Sequence, residues 1–62
     1  EGVLTPVEIK KAINITDDDV KHIKYFQKNI KESSDKGAVV CLDRSLRPFD
    51  RNIQIVPVGM IN

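Results

Sequence analysis

The sequence contains one cysteine, Cys41, and so lacks the paired cysteines that staple small secreted domains. It also lacks a signal peptide, and its longest uninterrupted apolar run, residues 38–42, is far too short to cross a bilayer. These absences predict an intracellular chain, cytoplasmic or nuclear, that does not enter a membrane.

The chain has little excess of charge. Ten Lys and Arg face nine Asp and Glu, which gives a formal net charge of +1. A protein that binds nucleic acid by bulk charge alone is strongly basic. Any electropositive surface on this chain must therefore come from the arrangement of its charges.

Motifs that carry catalytic chemistry are lacking too. The sequence has no nucleophile next to a base, no glycine-rich phosphate loop and no paired-carboxylate motif. His22 is the only histidine and has no second metal-binding side chain spaced to join it. We therefore expect no enzyme activity, no cofactor and no metal.

The length allows one domain at most. Ordering 62 residues costs about 1.5 kcal/mol of conformational entropy per residue, and this cost nearly cancels the free energy gained by burying so small an apolar core. The chain begins at Glu1 rather than at a methionine. We expect a single small domain over residues 1–62, either as a processed chain or as part of a larger protein or assembly.

Two stretches, LTPVEI and ITDDDV, carry the same helix-start signal. Thr5 and Thr16 occupy N-cap positions, and Glu8 and Asp19, three residues further on, complete a capping box in each stretch. Asn14 is a natural stop for the first helix, because its side chain tolerates positive φ. The pattern predicts two short helices joined by a tight turn.

The second helix is predicted from Asp17 to about residues 31–33. At roughly 100° per residue, its apolar positions form one stripe that packs inward, and four lysines lie nearly opposite. These lysines are Lys21, Lys24, Lys28 and Lys31. Two roles stay open for them: contact with a phosphate backbone, or a solvated outer face.

The second half of the chain has the pattern of strands. AVVCLD is a β-branched apolar run and NIQIVPV begins with alternation, so two strands are predicted, with Pro57 placing the last strand at an edge or ending its pairing. The connection over residues 44–51 contains Pro48 and is either a protruding loop or the point where the strands diverge. Its arginines either grip phosphate or are screened by neighbouring acids; they are Arg44, Arg47 and Arg51.

The run TPVEIKKAINITDDDVKHI resembles the helix-turn-helix pattern over about a third of the chain. The resemblance rests on Glu8, Ile9, Ile13, Asn14, Ile15, Thr16 and Val20. It implies an α+β, winged-helix-like fold, with a helix-turn-helix over residues 4–33 and a two-stranded antiparallel hairpin over residues 38–58 as the wing. It also implies that the chain binds duplex DNA as a dimer, with the four lysines and three arginines named above in contact with the DNA.

A second hypothesis comes from the apolar strands. Both faces of the run VVCL, residues 39–42, are apolar, although one amphipathic helix can cover only one of them. The surplus predicts a surface for a homodimer or another protein chain, as in a non-catalytic interaction module or accessory subunit. The residues expected at that interface are Val40, Leu42, Val56, Val58 and Met60, and Ile61 adds to the same apolar surplus. Against the DNA hypothesis, Asp17, Asp18 and Asp19 begin the supposed recognition helix and repel phosphate.

Overall fold

One mixed β-sheet with a helix on one face forms the part of the chain that the computed structural model describes, residues 2–60. The elements follow in the order β1 (Val7–Ile9), a 3₁₀ turn (Asp17–Val20), α1 (Lys21–Asn29), β2 (Gly37–Cys41), β3 (Arg47–Asp50), β4 (Ile53–Pro57) and a last 3₁₀ turn (Val58–Met60). The strand order is β1-β2-β4-β3; β1, β2 and β4 are parallel, and β3 runs antiparallel to β4. No helix among these residues has the length and apolarity needed to span a bilayer.

The first predicted helix is wrong, and with it the predicted fold of two helices and a two-stranded hairpin. Residues 7–9 form a strand that pairs with β2, with Glu8 opposite Val39. A capping signal is worth about 1 kcal/mol. It is outweighed by several ladder hydrogen bonds of roughly 0.5–1.5 kcal/mol each and by the preference of β-branched side chains such as Val7 and Ile9 for a sheet.

The second predicted helix start is confirmed. The backbone N–H of Thr16 donates to Asp19 Oδ2 at 2.9 Å, and the Thr16 hydroxyl donates to the same oxygen at 3.1 Å. The chain then passes through the 3₁₀ turn into α1. The helix ends at Asn29, earlier than predicted, because Ile30 is already extended. Lys31 therefore lies in the turn that follows α1.

The predicted hairpin over residues 38–58 is also wrong. Its two strands, β2 and β4, are parallel neighbours, and the connection between them contains β3. Pro48 is compatible with β3 because β3 is an edge strand, where a missing N–H is tolerated. The true hairpin joins β3 to β4 through a turn in which the N–H of Asn52 donates to Asp50 Oδ1 at 2.8 Å. Pro57 is the last residue of β4, which is an internal strand and not an edge.

The core lies between the sheet and the 3₁₀–α1 segment. Every second residue of β2 and β4 is buried, and α1 contributes Ile23 to the same cluster. Gly37, at the start of β2, allows a close approach of α1 to the sheet, because a Cβ there would be 2.8 Å from Ile23 Cγ2. The buried apolar residues are Val20, Ile23, Val39, Cys41, Ile53 and Ile55, with Ile15 and Phe49 packed alongside.

Candidate functional site

The sheet has a second, apolar face on the side opposite the core. Alternation along each strand turns one set of side chains towards α1 and the other set away from it. We call the second set the open face: Val7 and Ile9 on β1, Ala38 and Val40 on β2, and Gln54 and Val56 on β4. α1, the only α-helix in residues 2–60, packs on the core side.

Strand register aligns the open face into rows. Ile9 lies beside Val40, and Val40 lies beside Val56, so three branched apolar side chains cross three strands in one line. Ile9 is 77 % exposed at the outer end of this row, whereas Val40 and Val56 are half-buried by their neighbours. Gln54 is the only polar member of the face, and none of its six members is charged. Such a surface can be covered by another apolar surface without burying a charge.

The structure brings together two of the five predicted interface residues. Val40 and Val56 are adjacent on the open face. Leu42 follows β2 and is about half exposed, and Val58 and Met60 lie, similarly exposed, in the 3₁₀ turn after β4. Ile61 lies outside the described residues, as does Glu1.

Sequence reasoning missed the share of β1 in this face. The capping pattern places Val7 and Ile9 in a helix, although they alternate with Glu8 and Lys10 in the period of two that is typical of a half-exposed strand. This alternation indicates a strand, whereas the capping box of Thr5 and Glu8 indicates a helix. The missed residues are the most exposed apolar ones of the face, at 55 % and 77 %.

Several of the basic residues predicted to contact nucleic acid form ion pairs with acids of the chain. Lys21 Nζ lies 3.2 Å from Asp18 Oδ1, and Arg47 Nη1 lies 2.7 Å from Asp43 Oδ2. A third lysine, Lys24, approaches Asp50 Oδ2 at 3.5 Å and lies 5.7 Å from the centroid of the Phe49 ring. These pairs reduce the positive potential that the residues offer to a phosphate.

The remaining basic residues do not converge on one surface. Arg44 lies in the connection before β3, whereas Arg51 lies in the turn after it, so the length of β3 separates them. Lys28 lines a shallow groove that also contains Asp35 and Asn52. Because Lys31 follows the helix, the predicted ladder of four lysines on one helix is reduced to three.

Two aspartates are held in the charged form by local hydrogen bonds. The backbone N–H of Thr16 lowers the pKa of Asp19, assisted by the Thr16 hydroxyl and the nearby Lys10. The backbone N–H of Ser45 lowers the pKa of Asp43, assisted by the Arg47 guanidinium. Both carboxylates stabilise turns, one at the start of the helical segment and one before β3. Within residues 2–60, no three His, Cys, Asp or Glu side chains are grouped so as to hold a metal ion.

Comparison with protein-family models, with curated proteins and with solved structures finds no match to this chain.

Proposed function

We propose that this domain is a protein-interaction module that packs its open face against another protein chain, without performing catalysis. The observation that carries the proposal is the uncharged row of Ile9, Val40 and Val56 on the face that α1 leaves uncovered. Complete burial of an Ile or Val side chain contributes about 1.5–3 kcal/mol. Covering a face of this kind therefore supplies a substantial driving force for association.

The DNA hypothesis has weaker support. It depended on a helix-turn-helix and a two-stranded wing, whereas residues 7–9 form β1, and residues 38–58 contain two parallel strands with β3 between them. Its lysines and arginines are partly neutralised by acids and are distributed over separate parts of the molecule. The open face, by contrast, is one continuous surface built from three adjacent strands.

Site-directed photo-crosslinking tests the proposal. A photoreactive residue replaces Val56, on the open face, or Tyr25, which is 67 % exposed on α1 and lies on the other side of the molecule. In cells that produce the protein, we expect a discrete adduct with a protein chain from position 56 and none from position 25. A second copy of this chain counts as such a partner, and sedimentation at high micromolar concentration identifies that case.

Two further variants check that the adduct forms through the open face. Val40→Asp places a carboxylate in the centre of the row, and Gln54→Lys adds a charge where a polar side chain already lies. An unpaired charge buried in an interface costs several kcal/mol, so either change is expected to reduce the adduct at least about 100-fold. Circular dichroism confirms that each variant is folded. An adduct that survives both substitutions contradicts the proposal.

Binding to duplex DNA provides the opposing measurement. Fluorescence anisotropy across a salt series, with a Lys24→Glu and Lys28→Glu double variant as control, detects a phosphate-binding surface by its salt dependence of roughly 0.9 log units per phosphate. We expect no binding. Submillimolar binding with a slope of several units, abolished in the double variant, would overturn the proposal in favour of a nucleic-acid module.

A further inference from the structure

The outer edge of β1 carries backbone groups that point away from the sheet. Leu4, Pro6 and Lys10 hydrogen-bond inward, to β2 and to the segment that leads into it, at N···O distances of 2.7–3.1 Å. Because successive residues of a strand alternate in direction, Val7 and Ile9 turn their N–H and C=O groups outward. Within residues 2–60, no strand pairs with this side of β1. An edge of this kind is a template for a further strand.

A groove runs alongside this edge on the helix side. It has a volume of about 410 Å³ and lies between β1 and one flank of α1. The other flank of α1 faces β3, since Lys24 contacts Asp50 there, so the groove lies on the β1 side of the helix. Its lining is mainly apolar and includes Leu4, Pro6, Ile23 and Phe26, with three polar side chains, Thr5, Glu8 and His22. Leu4, which lines the groove, is 52 % exposed to solvent.

We propose that this edge and groove bind an extended segment of a partner protein, added to the sheet as a further strand beside β1. The outward backbone N–H and C=O groups of Val7 and Ile9 are about 6.6 Å apart, which is the two-residue repeat of a β-strand. Another extended strand has the same repeat, so its own backbone groups can hydrogen-bond to both residues. One set of alternate side chains then enters the groove against Leu4 and Phe26. The other set extends the open face beside Val7 and Ile9. The segment that fits is therefore apolar on the side that enters the groove and uncharged on the side that extends the open face.

A second copy of this chain fits the groove less well. Antiparallel pairing that places Ile9 opposite a residue of the copy's β1 brings it opposite either Ile9 or Val7, because outward groups must meet. In the first case the copy turns a lysine and an alanine towards the groove, which leaves its apolar lining unfilled. In the second case Glu8 faces its own counterpart, and like charges directly opposite are destabilising. These mismatches favour a segment of different sequence.

The inference stands apart from the proposed function, because it concerns the edge and groove and holds whether or not the open face is covered. The probe is a synthetic peptide of alternating leucine and threonine with lysine at both ends. Amide hydrogen exchange followed by NMR reports on each residue. At millimolar peptide, we expect the amides of Val7 and Ile9 to exchange at least about tenfold more slowly. The same peptide, N-methylated at alternate residues so that its bonding edge is blocked, should protect neither amide.

Protein variants separate the edge, the groove and the open face. Ile9→Pro removes an outward N–H without removing a bond to β2, and an edge strand tolerates proline there; this variant should lose the protection at Val7. Leu4→Asp places a charge in the groove and should weaken peptide binding about tenfold or more. Val56→Asp, two strands away, should leave the protection unchanged, so failure of the open-face proposal is distinguishable from failure of this one.

Three results would overturn the inference. The first is unchanged exchange at Val7 and Ile9 in millimolar peptide. The second is equal protection by the N-methylated peptide, which would show that no strand is added. The third is protection that appears without peptide and rises with protein concentration, which would assign the edge to a second copy of this chain.

Discussion

Gly37→Ala tests the close approach of α1 to the sheet. The added Cβ would lie 2.8 Å from Ile23 Cγ2 and 3.2 Å from the carbonyl oxygen of Pro6. Ile23 is buried and β-branched, so its methyl group cannot move aside as a flexible surface chain would. The Pro6 carbonyl accepts the N–H of Ala38 at 3.1 Å, so displacing it also strains the β1–β2 ladder.

The magnitude follows from two opposing effects. Overpacking of this kind costs about 1–3 kcal/mol, whereas replacing glycine stabilises by about 0.4–1 kcal/mol through the unfolded chain. A net loss of roughly 1–2 kcal/mol is large for a domain of this size, whose total stability is about 3–9 kcal/mol. With a urea m-value of about 1 kcal/mol/M, the midpoint falls by about 1–2 M.

Urea unfolding followed by circular dichroism measures this change. Gly59→Ala is the matched control, because nothing lies within 4 Å of a Cβ at that position. Its midpoint should stay within about 0.5 M of the parent's, since surface substitutions change stability by less than about 0.5 kcal/mol. If Gly37→Ala unfolds at the same urea concentration as the control, α1 does not contact the sheet as described.

Two further predictions concern acid and the thiol. The pKa values of Asp19 and Asp43 are lowered in the folded chain, so the stability that these carboxylates contribute is present above the ordinary pKa of 3.8 and is lost as pH falls through the lowered values. Asp19→Asn should therefore make the free energy of unfolding depend less steeply on pH in acid. An unchanged pH dependence would refute the assigned hydrogen bonds. Cys41 is 1 % exposed, so it should react with a thiol reagent at least about 100-fold more slowly than in urea-unfolded chain; rapid labelling under native conditions would contradict its burial.

Local signals in the sequence identified the parts of the fold that local interactions decide. The Thr16–Asp19 signal marks the start of the helical segment, because both residues lie in the turn that they stabilise. β-Branched apolar residues predict β2 and β4 as strands, which the structure confirms. The similar signal at Thr5 and Glu8 is overridden, since its segment pairs with β2 far along the chain. Capping residues alone cannot report such a partner.

Strand direction and the position of β3 also depended on distant interactions. Nothing near residues 38–42 specifies whether β4 lies parallel or antiparallel to β2. Pro48 weakened the pattern of β3, although an edge position accommodates it. For the candidate site, composition identified the apolar excess of the strands and two members of the open face, Val40 and Val56. The register that aligns them with Ile9 required the paired sheet.

The two kinds of strand pairing in this sheet imply an order of assembly. β3 and β4 are joined by a tight turn, so they can meet within microseconds, whereas β1 must wait for residues 10–36 to bring β2 beside it. Closing that longer loop costs conformational entropy before any hydrogen bond between β1 and β2 can form. We therefore expect β1 to join the sheet after β3 and β4 have paired. The strand at which we place partner binding is thus a late-joining one, and a bound segment would add hydrogen bonds along its outer side.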